Sequence, residues 1–279
     1  MTVINTNIKS LVSQDAIAKN NRELTNAMQQ LSTGKRINSA SDDAAGLAIS
    51  SRMTSQIKGL DQAVRNGNDA ISMLQTTEGA MIEMTNMLQR MRELAIQSSN
   101  DTYSQKDREY LDLEFQQLTG EIDRITSDTQ WNGMNILDGT AGTNSDGVLE
   151  FQVGANEGQT ITHTISDMSS NGELSMISGT DILDRDNAAN AITQVDDALG
   201  VINSERAGIG AVVNRLNYAV DNLSNVSLNT SASRSRIMDA DYAKASSELA
   251  RTQIIQQAAT AMLAQANQQP QTVMQLLKG

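Results

Sequence analysis

The fold is decided by Ile49–Ala95, which reads ISSRMTSQIKGLDQAVRNGNDAISMLQTTEGAMIEMTNMLQRMRELA. Within it Met53, Leu60, Gly67, Leu74, Met81, Leu88 and Ala95 recur every seven residues, interleaved with Ile57, Val64 and Ile71 and then with Met84 and Met91. Spacing of this 3-4 kind lays one narrow apolar stripe along a helix, the seam of a coiled coil rather than the broad face of a globular helix. No proline interrupts it. The pattern predicts a helix from about Ala44 to Asn100, roughly 80 Å long at 1.5 Å per residue. A helix with one apolar edge needs a partner.

The partner lies further along the chain. Ala188, Val195, Ile202, Ile209, Leu216 and Leu223 repeat every seven residues, with Ile192, Leu199, Arg206, Val213 and Val220 repeating beside them. Only Arg206 interrupts this second seam, which predicts a helix from about Asp186 to Asn229, roughly 65 Å long. Burying about ten aliphatic side chains between the seams, at ~1.5–3 kcal/mol each, is the main stabilising term.

Between the seams, Asn100-Asp101-Thr102 turns the chain, and Ser104 with Asp107 forms a capping box in which Asp replaces the usual Glu. Leu111, Leu118, Ile122 and Ile125 then predict a helix to about Ser127, antiparallel to the first. From Trp131 to Thr180 the turn dipeptides Asn132-Gly133, Asp138-Gly139, Asp146-Gly147 and Asn171-Gly172 take over. Val148–Val153 and Thr160–Ile165 read as a β-hairpin, the second strand alternating Ile161, His163 and Ile165 with polar residues.

The termini carry weaker stripes. Ile4, Ile8 and Leu11, then Ile17, Leu24 and Leu31, predict an amphipathic helix diluted by Asn and Gln. Gly34 can end it, and Ser39 or Ser41, followed by Asp42 and Asp43, can start the next. Residues 230–236 read as a second hinge, followed from about Asp239 by a helix carrying Leu249, Ile254, Ala258, Ala261, Met262 and Leu263 and ending at Leu276-Leu277-Lys278-Gly279. Helices this weakly apolar are marginal alone and order by packing on one another and on neighbours.

The expected fold is therefore mainly α: an elongated antiparallel helical bundle or coiled coil with a small β-hairpin region and paired N- and C-terminal helices. Residues 1–43 and 236–279 form the two halves of one coiled-coil domain. Residues 44–235 form a helical rod with its β region at about 131–180.

Composition agrees with thin helical packing. Aromatic residues are 3% of 279, there is one proline and no cysteine, and the net charge is −12. That charge argues against nucleic acid as a partner, since phosphate binding requires clustered Lys and Arg. Without cysteine there are no disulfides and no thiol chemistry. Met1–Ser10 lacks the apolar core of a cleaved secretory signal, and no run of 18 apolar residues predicts a membrane span.

Nor does the chain read as an enzyme, a metalloprotein or a cofactor carrier. A single histidine, His163, rules out an H-E-x-x-H motif and reads as structural or surface. No phosphate-cradling glycine motif occurs. The acidic pairs Asp42-Asp43, Asp196-Asp197 and Asp239/Asp241 read as helix caps or solvated charge, and the fourteen methionines as gap fillers on helix stripes. Gly67, on the first seam, is either a tolerated cost of about 1 kcal/mol or a point of close helix approach.

Several stretches resemble the signatures of bacterial flagellins. At the N-terminal side these are Val3-Ile4-Asn5-Thr6-Asn7, Leu31-Ser32-Thr33-Gly34-Lys35-Arg36-Ile37-Asn38-Ser39-Ala40 with Asp42-Asp43-Ala44-Ala45-Gly46, Gln75-Thr76-Thr77-Glu78-Gly79-Ala80, and Leu88-Gln89-Arg90-Met91-Arg92-Glu93-Leu94. At the C-terminal side they are Ser235-Arg236-Ile237-Met238-Asp239-Ala240-Asp241-Tyr242-Ala243 and Ala264-Gln265-Ala266-Asn267-Gln268, and Phe151–Gly158 is similar to the family's hairpin. The chain departs from the family at Ala245, where Glu is frequent, at Val213, where Gln is frequent, and at its Leu-Leu-Lys-Gly end.

The resemblance implies a short flagellin with core domains only, polymerising with itself into the extracellular filament that drives motility. Ile4, Ile8, Leu11, Leu24, Leu31, Leu249, Ile254, Leu263, Leu276 and Leu277 would build the inner core of the assembly. Gln89, Arg90, Leu94 and Glu114 would form a subunit interface, presented away from the seam, that flagellin-sensing Toll-like receptors also contact. Implied partners are the flagellar export apparatus, an export chaperone at the C-terminal helix, and the filament cap and hook-junction proteins. The competing readings are a hook–filament junction protein and a secreted coiled-coil adhesin or binding module.

Overall fold

The structure, a computed structural model, describes residues 6–276, with side chains through residue 268. Among the described residues the elements run α1 (Ile8–Thr33), α2 (Ala44–Ser98), α3 (Gln105–Asp128), β1 (Gln130–Trp131), β2 (Met134–Asn135), β3 (Val148–Gln152), β4 (Thr160–Thr164), α4 (Arg185–Met238) and α5 (Tyr242–Leu276). A 3-10 turn at Ser175–Ile177 precedes α4. The chain is mainly α, as its periodicity predicts. It divides into two compact units, Met1–Ile57 with Leu228–Gly279 and Lys58–Ser227. The division falls inside α2 and α4 and not at the polar breaks near residues 43 and 235.

Helix ends follow local side-chain chemistry. The Asn7 side chain accepts the Ser10 N–H at the start of α1. Gly34, left-handed at φ 68°, closes it by donating its N–H to the Gln30 carbonyl. At α2 the cap comes from the acidic pair and not from Ser39 or Ser41. Asp43 accepts the Gly46 N–H at 2.8 Å, and Asp42 accepts the N–H groups of Asn38 and Ser39 at 3.0 and 2.8 Å in the preceding turn. Ionised carboxylates are stronger acceptors than hydroxyls. Those two backbone bonds hold the Asp42 carboxyl below its ordinary value. The capping box of α3 forms as read, with Ser104 and Asp107 bonded reciprocally.

The second hinge lies later than expected. Residues 230–236 are helical and α4 runs to Met238. Their serines and arginines, with no Gly or Pro among them, fit an exposed helix at small cost. The break comes at 239–241, where the Asp241 side chain accepts the N–H groups of Ala243 and Lys244. It is tied to the Gly34 turn. Arg36 N–H donates to the Met238 carbonyl at 2.7 Å and Ala240 N–H to the Gly34 carbonyl at 2.9 Å.

In the Lys58–Ser227 unit α2 and α4 run antiparallel, cross-linked from Asp61 to Ser227 near one end and from Arg92 to Asp196 near the other. The main rows of both seams are buried over Leu60, Gly67, Leu74, Met81, Leu88 and Ala95 on α2 and Ala188, Val195, Ile202, Ile209 and Leu216 on α4, and their end members Met53 and Leu223 are half-buried. Of the flanking rows, Ile57, Met84 and Met91 are buried as expected, and the rest is displaced by one residue. Ala63, Ala70 and Thr77 are buried where Val64 and Ile71 were expected, and Ala191, Ala198 and Val212 where Ile192, Leu199 and Val213 were. The larger aliphatics sit half-buried at the edges. Mostly small side chains at these positions let the two backbones approach, while the bulkier ones close the sides.

Gly67 belongs to that close approach. A Cβ built on it would lie 2.6 Å from Val220 Cγ2, whereas one on Gly79 would meet nothing within 4 Å. Opposite effects are expected. Gly67→Val destabilises the chain by about 1–3 kcal/mol through overpacking, and Gly79→Ala stabilises it by up to about 1 kcal/mol. Urea melts followed by circular dichroism check both signs.

The third wall of this core is α3 with the β segment. Phe115 and Ile122 from α3 and Ile136, Leu137, Leu149 and Ile161 join the seam residues in one cluster. β3 and β4 pair antiparallel with Leu149 opposite His163 and Phe151 opposite Ile161. His163 faces inward, its Nε2 3.5 Å from Glu205 Oε1. A second small hairpin, β1–β2, turns on Asn132-Gly133, both at positive φ.

Candidate assembly surfaces

With no catalytic constellation in the sequence, the candidate site is a set of surfaces. In the unit that joins the two ends of the chain, α1 and α5 pair antiparallel. Asn7 Nδ2 donates to the Ala266 carbonyl and Asn20 Nδ2 to the Thr252 carbonyl, each at 2.9 Å. Their seam is thin. Ser10, Asn20 and Ala27 are buried on α1, facing Ala245, Thr252 and Ala266 on α5. Leu24, Leu31, Leu249 and Leu263 are half-buried along the same seam.

The remaining expected inner-core residues behave differently. Ile8, Leu11 and Ile254 point outward, 58%, 55% and 67% exposed. Leu276 is described in its backbone alone, and Ile4 and Leu277 lie outside the described residues. Sequence periodicity therefore separated two sets without saying so: leucines that pair α1 with α5, and aliphatics left for something else. Val12, Met28 and Met262 extend the second set, at 63%, 56% and 64% exposure. Val12 and Met28 sit off the heptad stripe and so escaped a search for it, whereas Met262 is among the apolar residues read on the C-terminal helix. An excess of apolar residues beyond what one seam can hold was the available signal.

On the other unit, Gln89 and Arg90 are exposed and Glu114 is half-buried. Arg90 bridges two helices. Its Nε donates to Glu114 Oε1 on α3 at 2.9 Å, and its Nη1 to Glu93 Oε2 on its own helix at 3.0 Å. The two carboxylates push its pKa further up, Glu114 contributing first. The Arg90, Glu93 and Glu114 side chains are 48%, 69% and 45% exposed, so solvent screening keeps these pairs to small contributions.

Leu94 does not share that face. It is fully buried, in the same core cluster as Leu88, Met91 and Phe115. A two-helix seam would leave position 94 outside, but α3 packs over that flank and takes it into a three-sided core. The structure thus joins exposed Arg90, next to Gln89, to half-buried Glu114 and places Leu94 in the core instead.

The chain matches two family models, the bacterial flagellin N-terminal helical region over residues 4–142 and the bacterial flagellin C-terminal helical region over residues 192–277. It is similar to a flagellin of Halalkalibacterium halodurans, 46% identical over 276 residues that cover 99% of this chain and 100% of that one. It is also similar to a flagellin of Bacillus subtilis, 42% identical with 99% of each chain covered. Among solved structures it is similar to Bacillus cereus flagellin at 38% identity and a TM-score of 0.50, over 57% of this chain and 88% of that one. It shares a fold, at 15% identity and a TM-score of 0.59, with a flagellar hook-associated protein from Vibrio parahaemolyticus, over 71% of this chain and 100% of that one.

Proposed function

We propose that this chain, which belongs to the bacterial flagellin family and is a structural subunit of the flagellar filament, joins its neighbours chiefly through the outward faces of α1 and α5. The observation that carries this reading is the exposure of Ile8, Leu11, Ile254 and Met262 on helices whose own seam is lined with Ser, Asn, Thr and Ala. Apolar side chains in that number are stabilised only when another surface covers them. Covering them contributes on the order of 25 cal/mol for each Å² removed from water, several kcal/mol per subunit.

The second contact is the surface around Gln89, Arg90 and Glu114. It packs against a neighbouring subunit in the filament, and on the free subunit it is open to a flagellin-sensing Toll-like receptor. Leu94 supports this surface from beneath by filling the core under α2 and α3. Leu24, Leu31, Leu249 and Leu263 hold α1 on α5 so that the outward aliphatics stand in register for assembly.

Marginal terminal helices suit a subunit that leaves the cell by the flagellar export route. Such a chain travels unfolded and orders where it docks, offsetting its ordering entropy with the new contacts. An export chaperone covering the C-terminal helix before secretion, and the filament cap and hook-junction proteins at the two ends of the polymer, complete the expected partners. A hook–filament junction protein or a coiled-coil adhesin accounts for the helices, but the end-to-end likeness, over 99% of the chain, is to flagellins. Chains lacking residues 1–35 or 240–279 are expected to stay soluble and monomeric where the full chain forms filaments. Electron micrographs showing filaments of either truncated chain would overturn the proposal.

A further inference from the structure

The Lys58–Ser227 unit carries a groove that the core does not use. Two adjoining depressions, of about 330 and 450 Å³, share Met73, Trp131, Glu150 and Phe151, and the first also takes in Asp69. The groove runs between α2 and the β3 edge of the hairpin, where Asn66 Nδ2 reaches the Gln152 carbonyl at 3.3 Å. Its floor is Met73, buried at 4% exposure, and its walls are the half-buried rings of Trp131 and Phe151. Asp69 and Glu150 stand exposed at the rim, and among the described residues neither side chain has an ion pair or hydrogen bond.

Two aromatic rings beside two unpaired carboxylates have the chemistry of a cation receptor. The ring faces attract a cation, the carboxylates neutralise it, and the sulfur and ring carbons accept an aliphatic stem. A flexible Lys or a planar Arg fits this description, and an aliphatic side chain or a carboxylate does not. We propose that this groove receives a lysine or arginine side chain from a second copy of the chain.

Charge matching favours a second copy. Each subunit carries a net charge of −12, so copies repel one another unless their contacts set base against acid locally. The same unit supplies the bases. Lys58, Lys106 and Arg215 are exposed and make no side-chain ion pair or hydrogen bond among the described residues. Groove and base are different patches of one surface, so the contact can be heterologous and propagate from subunit to subunit, as a helical polymer requires. The inference rests on polymerisation of the chain but not on which faces of α1 and α5 take part.

Trp131 is the only tryptophan in the 279 residues, so its fluorescence reports on the groove directly. Full-length protein is polymerised from seeds, and sedimentation and Trp131 emission are recorded together. Emission is expected to move to shorter wavelength as the subunits sediment. The Asp69→Asn, Glu150→Gln double variant is expected to lose most of that shift and to need a subunit concentration about fivefold to tenfold higher for filament growth.

Charge reversal at Lys58, Lys106 and Arg215, one at a time, identifies the donor as the variant that loses the shift in the same way. A charge swap between Glu150 and that donor is expected to restore both readouts. Failure of the wild-type chain to sediment would count against the assembly proposal instead. Filaments whose Trp131 emission matches the monomer would overturn the groove assignment. So would a shift undiminished in the double variant, or one undiminished in all three charge reversals.

Discussion

Leu94→Ala is expected to lower the stability of the Lys58–Ser227 unit by about 2–5 kcal/mol, the cost of a cavity in a well-packed core. Gln89→Ala, on the exposed surface five residues earlier, changes it by less than about 0.5 kcal/mol. The two residues belong to one motif and one helix, and their difference is wholly one of environment. Leu94 is 0% exposed among Leu88, Met91 and Phe115, while Gln89 is exposed. Urea melts of the unpolymerised subunit separate them. A Leu94→Ala chain as stable as its parent would place Leu94 outside the core.

Assembly reverses the ranking at the chain ends. The double variant Ile254→Asp, Met262→Asp is expected to abolish filament formation while leaving the melting midpoint of the Lys58–Ser227 unit unchanged. Both side chains are about two-thirds exposed in the isolated chain, so their removal deprives the subunit of nothing it now buries. Between subunits each aspartate would have to be buried without a partner, which is strongly unfavourable. Electron microscopy after seeding, with calorimetry of the unpolymerised protein, gives both readouts. Filaments of ordinary length from this variant would show that the outward aliphatics of α5 do not meet a neighbour.

The contrast between these predictions tracks what was legible in the residues. Helix, turn and cap depend on side chains within a few positions of one another. The sevenfold repeats of α2 and α4, the Gly34 stop, the Ser104–Asp107 box and the hairpin around Gly154–Gln159 could therefore be read locally, and the structure has them. Competition between neighbouring candidates was harder. Asp43 displaced Ser39 and Ser41 as the cap of α2 because both acids were free to reach backbone N–H groups. The polar stretch 230–236 stayed helical because nothing in it forbids a helix.

Which flank of a seam is buried depends on packing that no single helix records. Periodicity identified the main rows and the pairing of the two seams, since one apolar stripe can only be satisfied by another. Tertiary structure decided that Ala63 and Ala191 lie inside while Val64 and Ile192 lie at the edge. The backbones approach at the small residues, and a shift of one position rotates a side chain by 100° around the helix. It also decided the fate of Leu94 and Ile254. α3 covers the first, and among the described residues nothing covers more than about a third of the second. The repeat determined that long helices must pair, and the third element packed beside them determined which of their apolar residues make the subunit and which remain for the filament.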